Sequence, residues 1–215
     1  MLRPSSTRAD STMPPFDIWV FNEFGKNSVE HIGYPVHSVY EDLTWDKSDT
    51  MSGAADDWAY EHLGVFSWTT EFWDAIFHAT GEHSPLNIWY VGPTPEQDLA
   101  VCKWSDTHAP GSYIAWKKFD HPQLGPVEIG GCDYFRIWTN APPSKLRDEV
   151  KEHVHFALFQ ALASPKIEIK LADAQSVGDG IWRVRMGIAN TGWLGTEISA
   201  WAHKHNIVLP LTAQI

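Results

Sequence analysis

The chain has 215 residues, of which 43% are hydrophobic and 20% are charged, proportions typical of a globular protein with a core. Its formal net charge of −11 opposes binding to nucleic acid or to an anionic membrane, so we expect neither as a partner. The sequence has no apolar run near the roughly 20 residues that a membrane span requires. The first eight residues lack the apolar core of a secretory signal and predict no export.

Residues 3–40 predict a loop, a helix and a short strand, in that order. Ser, Thr, Asp and Pro dominate residues 3–15, a composition typical of a loop. After Pro14-Pro15, residues 16–26 carry apolar side chains at helical spacing, which predicts a helix. Residues 34–40 alternate apolar with polar side chains and predict a strand.

The next segment predicts a helical turn followed by a buried strand. Residues 57–62 predict a short helix that Asp56 or Asp57 caps. Residues 65–72 have the density of aromatic and β-branched side chains that is typical of a buried strand. Residues 74–95 predict a long connection.

Two helices and a strand are predicted between this connection and residue 165. An acidic first turn predicts a helix over residues 95–105, and residues 125–131 predict a short strand that ends in two glycines. The clearest helix covers residues 144–163, where one face is apolar and Ser164-Pro165 ends the pattern.

The composition changes after Pro165 and predicts a β-hairpin. Residues 166–171 alternate strictly, Gly178-Asp179-Gly180 supplies a turn, and residues 181–188 alternate again. We interpret this hairpin as the start of a β-sandwich-like domain over residues 164–215. That domain is expected to be incomplete, because a typical sandwich has roughly 100 residues.

Tryptophan and cysteine each leave two interpretations. The 12 tryptophans are scattered from Trp19 to Trp201, and indole rings can line a cleft for sugar or peptide or can fill a core. We favour the core. Two cysteines, Cys102 and Cys132, could form one bridge, but two small half-buried thiols are the favoured interpretation.

Glu71 is a carboxylate within an apolar, aromatic stretch. An ionised carboxylate is costly to bury without a partner, so Glu71 must pair, protonate or face a cleft. From alternation alone, the simpler interpretation is that Glu71 points outward at the end of a strand and meets water.

The motif around Glu71 resembles the late catalytic strand of zinc carboxypeptidases of the carboxypeptidase A type. Asp57-Trp58-Ala59-Tyr60 is followed by Ser67-Trp68-Thr69-Thr70-Glu71, where the family has Asp-Trp-x-Tyr and then Ser-Phe-Thr-x-Glu. The interval of thirteen residues from the Trp to the Glu matches the family. Leu2-Arg3-Pro4 is similar to the run after the second zinc histidine of the family, and residues 144–163 are similar to its last helix.

The resemblance implies roles for three side chains. Glu71 would be the catalytic base, which takes a proton from the attacking water and passes it to the leaving amine. Asp56 falls in the specificity pocket, where a carboxylate implies preference for a C-terminal Lys or Arg, although Asp56 could instead cap a helix. Thr69 is assigned to substrate binding by the same match. The family's mobile tyrosine has no counterpart, because Asp49 stands at its spacing.

The resemblance also implies a zinc cofactor and a peptide C-terminus as the partner. The family binds zinc through His-x-x-Glu and a later histidine, but none of the eleven histidines here has Glu at the third following position. The pairs His153/His155 and His203/His205 lack a third ligand. We therefore expect no zinc ligand in this chain, and we expect the residues that bind the metal and the substrate carboxylate to precede it.

The function expected from these residues is the removal of C-terminal amino acids from peptides by a zinc-dependent carboxypeptidase. The expected fold class is α/β. Residues 1–163 would be the C-terminal part of the mixed-sheet carboxypeptidase fold, inactive alone, and residues 164–215 the β-rich domain. Two alternatives stay open. One is a non-catalytic module that binds peptide or carbohydrate, and the other is a partial paralogue that binds peptide C-termini without cleavage.

Overall fold

The computed structural model describes residues 1–214 and contains both helices and strands, which confirms a mixed α/β class. The helices are α1 Pro15–Ile32, α2 Ala55–Leu63, α3 Ala75–Thr80, α4 Ile88–Val91, α5 Pro95–His108, α6 Tyr134–Ile137, α7 Pro143–Lys151, α8 His153–Ala163 and α9 Ala200–His205. The strands are β1 Leu2–Arg3, β2 His37–Ser38, β3 Tyr113–His121, β4 Gly125–Cys132, β5 Ile167–Gly178 and β6 Ile181–Asn190. No helix in the described part of the chain is long and apolar enough to cross a membrane.

The chain divides into two compact units. Unit 1 comprises residues 1–69 and 154–214, and unit 2 comprises residues 70–153. Ile215, the last residue of the predicted β-rich domain, lies outside the described residues.

Unit 1 begins with two short parallel strands connected by α1. Leu2 pairs with His37, and Arg3 pairs with Ser38. The predicted helix over 16–26 is confirmed and continues to Ile32, where the left-handed Gly33 ends it.

The core of unit 1 is largely aromatic. Phe24 of α1 packs against Phe66 and Trp68, with ring centroids 6.2 and 5.1 Å apart, and α8 contributes Phe156 at 5.6 Å from Trp68. The core interpretation therefore holds for Trp68, whereas several other tryptophans are exposed.

The predicted β-hairpin after residue 165 is confirmed. β5 and β6 pair antiparallel around a turn at Asp179-Gly180 and, among the described residues, form a two-stranded sheet of their own. The chain then forms α9, which packs against α1 and α2. The register of the hairpin places Ile169 opposite Ile188 on one face. It places Asp173 opposite Arg185 on the other face, where the two side chains form an ion pair.

Unit 2 combines helices with the antiparallel hairpin of β3 and β4. Its core is formed by α3, α5 and α6 through side chains that include Ile76, Val101 and Ile137. The predicted long connection over 74–95 is wrong, because it contains α3 and α4. The predicted helix over 144–163 is divided at Glu152 into α7 and α8.

The cysteines of unit 2 form a disulfide. Cys102 of α5 is bonded to Cys132 of β4, with Cα atoms 5.9 Å apart. The favoured interpretation of two free thiols is therefore wrong. Periodicity could not reveal the bond, because it depends on how α5 packs against β4, 30 residues later in the chain.

Candidate functional site

Two carboxylates at the start of α2 are buried in unit 1. Asp56 and Asp57 are the second and third residues of the helix, where unpaired backbone N–H groups favour negative charge. The cap position is Ala54, and its side chain makes no capping hydrogen bond. The predicted cap by Asp56 or Asp57 is therefore wrong, and the helix leaves both carboxylates available for other contacts.

Asp57 joins α2 to the segment that follows β1. Both of its carboxylate oxygens accept the backbone N–H of Ser6, at 3.0 and 2.9 Å. Both residues are buried, and a buried backbone N–H requires an acceptor. Asp57 therefore holds the N-terminal segment against the start of α2.

Asp56 has a buried carboxylate oxygen without a hydrogen-bond partner among the described residues. The residue is only 3% exposed, and its Oδ2 atom has no hydrogen-bond partner among residues 1–214. Burial raises the pKa of the Asp56 carboxyl and the charge of Asp57 adds to this rise, while backbone N–H groups and the Thr69 side chain act in the opposite direction. A buried carboxylate oxygen with no partner is suited to a donor or a cation from a ligand.

Thr69 lies beside Asp56 because its segment pairs with β1. The N–H of Leu2 donates to the carbonyl of Thr69 at 2.8 Å, and the N–H of Thr69 donates to the carbonyl of Leu2 at 2.9 Å. The Thr69 side chain is exposed, and its polar group lowers the pKa of the Asp56 carboxyl. The structure thus brings together the two residues to which the resemblance assigns substrate binding.

Glu71 lies in unit 2, two residues after Thr69 along the chain. Its side chain is exposed and forms no hydrogen bond or ion pair with a described residue. The predicted strand over 65–72 is wrong, because its backbone forms one bridging pair, at Thr69, and no ladder. The high density of aromatic side chains in this segment has another cause, because Phe66 and Trp68 pack against the core of unit 1.

The described residues do not gather into a metal site. No group of three or more His, Cys, Asp or Glu side chains among residues 1–214 could hold a metal ion. In the pair of histidines on α9, His203 contacts Glu197, with Nδ1 2.7 Å from Oε2, and the ring of His205 lies 4.0 Å from that of Trp201. The residues present therefore do not fit the zinc that the resemblance implies, and we assign no step through zinc to them.

Sequence reasoning missed the buried acceptor Asp17. It accepts hydrogen bonds from the Tyr60 hydroxyl at 2.6 Å and from the backbone N–H groups of Ala200 and Trp201 at 2.8 and 2.9 Å. A signal was present, because Asp17 precedes Val20 by three positions and so lies on the apolar face of α1. Without knowledge of its donors, it resembles an ordinary acidic residue in a first helical turn.

Comparison with known proteins finds a match to a family model in the last part of the chain. Residues 166–215 match the family model described as "Domain of unknown function (DUF8731)". The match begins at the start of the β5–β6 hairpin and includes α9. No curated protein and no solved structure matches the chain.

Proposed function

We propose that the chain is part of a zinc metallocarboxypeptidase, a hydrolase that removes amino acids from the C-termini of peptides. The observation that carries the proposal is the motif Asp57-Trp58-Ala59-Tyr60 followed by Ser67-Trp68-Thr69-Thr70-Glu71 at the family spacing. The finer fold, a C-terminal part of the mixed-sheet carboxypeptidase fold and the start of a β-sandwich-like domain, belongs to the same proposal. So does the division into residues 1–163 and 164–215.

Glu71 is the catalytic base in this proposal. A general base must be free to accept a proton, and the Glu71 side chain is exposed without a partner among the described residues. It takes the proton of the water that attacks the terminal peptide bond. It then returns that proton to the nitrogen of the departing amino acid, so that the leaving group departs as a neutral amine.

Asp56 and Thr69 bind the last side chain of the peptide. The unpartnered Oδ2 atom of Asp56 supports this role, because a buried carboxylate oxygen gains most from a cationic donor such as Lys or Arg. The Thr69 hydroxyl supplies a neighbouring polar contact. The proposal therefore includes a preference for peptides that end in a basic residue.

Zinc is the cofactor of the family enzyme, and none of the eleven histidines here has the Glu at the third following position that the family uses to bind it. We therefore expect the 215-residue chain to be inactive alone. The non-catalytic binding module and the partial paralogue stay as alternative predictions.

The test compares the 215-residue chain with the product of its complete reading frame. Both are incubated with peptides that end in Arg or Phe, and loss of the last residue is followed by mass spectrometry. We expect cleavage only by the complete product, faster for Arg than for Phe. We expect Glu71→Gln to lower kcat at least about 100-fold, as for loss of a general base.

The matched control is Glu128→Gln, which neutralises another exposed carboxylate in unit 2 and is expected to leave kcat unchanged. Full activity of Glu71→Gln would rule out its role as the base. Faster cleavage of Phe would rule out charge pairing with Asp56. A complete reading frame that lacks His-x-x-Glu and cleaves no peptide would favour the binding module.

A further inference from the structure

Unit 2 contains an aromatic cleft of about 530 Å³, within the range of roughly 300–1,000 Å³ that is usual for small-ligand sites. One wall is the N-terminal half of α5, from which Asp98 and Leu99 line the cleft. The opposite wall carries four aromatic side chains: Tyr113, Trp116, Tyr134 and Trp138. None of the described residues that line this cleft is Lys or Arg.

A bulge in β3 positions Trp116. Ile114 pairs with Gly131 and Lys117 pairs with Ile129, so two residues of β3 stand opposite Gly130 alone. Such bulges redirect side chains at functional surfaces. Gly130 permits the arrangement, because a Cβ atom there would lie 2.6 Å from Cα of Trp116.

The two walls are covalently joined. Cys102 of α5 and Cys132 of β4 both line the cleft and form the disulfide. Cross-linking the walls reduces their freedom before a ligand arrives, and preorganisation of this kind lowers the entropic cost of binding.

The polar groups of the cleft are open to a ligand. Trp116 is 60% exposed, and its indole N–H makes no hydrogen bond to a described residue. The hydroxyls of Tyr113 and Tyr134 are likewise without such a bond. The exposed Asp98 carboxylate takes part in no ion pair or side-chain hydrogen bond with residues 1–214.

We propose that this cleft binds a neutral carbohydrate chain, in which one sugar ring stacks on Trp116 and its hydroxyls donate to Asp98. A sugar ring has an apolar face of C–H groups and an edge of hydroxyls, and it therefore matches a flat indole beside a carboxylate. The carboxylate, the lack of basic lining residues and the net charge of −11 oppose an anionic glycan. This site is independent of the proposed peptidase activity.

The experiment measures binding of the 215-residue protein to chitohexaose, cellohexaose, xylohexaose and maltohexaose by isothermal titration calorimetry. We expect at least one oligosaccharide to bind, and Trp116→Ala to weaken that binding about ten-fold or more. Asp98→Asn should weaken it several-fold. Trp116→Phe, which keeps a ring on the same backbone, should retain most of the affinity even if Trp116→Ala is poorly folded. The matched control is Trp45→Ala, which removes a 73% exposed indole from unit 1 and should leave binding unchanged.

Three results would overturn the proposal. The first is that none of the four oligosaccharides binds at millimolar concentration. The second is that Trp116→Ala, shown to be folded by circular dichroism, binds as tightly as the unmodified protein or loses no more than Trp45→Ala. The third is that a proline-rich peptide binds at Trp116 while the oligosaccharides do not, which would make the cleft a peptide site. These binding measurements do not depend on peptidase activity. We therefore expect the Glu71→Gln variant to bind the oligosaccharides as the unmodified protein does.

Discussion

The hydroxyl of Tyr60 donates a 2.6 Å hydrogen bond to Oδ2 of Asp17, and both side chains are completely buried. The same carboxylate accepts the first two backbone N–H groups of α9, from Ala200 and Trp201. Asp17 therefore connects α1, α2 and α9. Burial, and then the hydrogen bond to Asp17, raise the pKa of Tyr60, so its hydroxyl remains a donor.

Replacement of Asp17 should strongly destabilise unit 1. Asp17→Ala leaves three buried or half-buried donors without an acceptor, and we expect the free energy of unfolding to fall by about 3–5 kcal/mol. Tyr60→Phe, which keeps both backbone donors satisfied, should cost about 1–2 kcal/mol. Urea denaturation followed by circular dichroism measures both values. Asp49→Ala, at an exposed site, is the control, and an Asp17→Ala midpoint equal to that control would contradict the connecting role.

Gly64 should tolerate substitution less well than Gly33. Both glycines end helices with positive φ, 70° and 73° respectively. A Cβ atom on Gly64 would lie 2.4 Å from Cβ of Ala202, whereas Gly33 has no atom within 4 Å of that position. We expect Gly33→Ala to cost about 1–2 kcal/mol from backbone strain, and Gly64→Ala to cost a further 1–3 kcal/mol from overlap with α9. Thermal unfolding of the two variants decides this, and equal losses would show that α9 does not pack closely on Gly64.

Asp56 should destabilise the fold at neutral pH. Its pKa is raised by burial, so its contribution to stability is present below the ordinary Asp value of about 3.9 and is lost as the pH rises through its folded-state pKa. Asp56→Asn removes this dependence. We therefore expect the variant to gain stability relative to the unmodified protein at about pH 7, and to gain less at about pH 3. Urea midpoints at the two pH values measure the difference.

Asp46 provides a control of opposite sign. Hydrogen bonds from the side chain and backbone of Ser48 lower the pKa of this exposed carboxyl. Its contribution is therefore present above the ordinary Asp value and lost as the pH falls through the folded-state pKa. Asp46→Asn should reduce stability at about pH 7 rather than increase it. A gain of the same size for both variants would mean that lower net charge, and not the burial of Asp56, explains the result.

Reduction of the disulfide should destabilise unit 2. Cys102 and Cys132 are 30 residues apart, and opening a loop of that length is expected to cost about 3–4 kcal/mol. Thiol titration of the unfolded, unreduced protein should find no free thiol, and two after reduction. A double variant, Cys102→Ser with Cys132→Ser, should have the stability of the reduced protein and should not respond to reductant. Two reactive thiols before reduction would contradict the bond.

Local patterns in the sequence were sufficient for α1, α5 and the β5–β6 hairpin. Pro15 at the start of α1, the left-handed Gly33 at its end and the Asp179-Gly180 turn act through neighbouring residues. The prediction of a strand over 65–72 failed because aromatic density reports burial, and burial does not require a backbone partner. For the candidate site, sequence resemblance identified Asp56, Thr69 and Glu71, and the roles of all three stay predictions.

The sequence was enough to locate the longer helices and the C-terminal hairpin, because caps, turns and side-chain periodicity depend on residues within a few positions of one another. Only the tertiary structure decided that Asp56 is buried beside Thr69, that Cys102 bonds to Cys132 and that Asp17 holds α9. Asp17 and Ala200 are 183 positions apart. Contacts at such separation depend on how several elements pack at once, and no local pattern encodes that packing. Glu71 was conspicuous in the sequence because it lies in a local motif. Asp17 was not, because its donors come from distant segments of the chain.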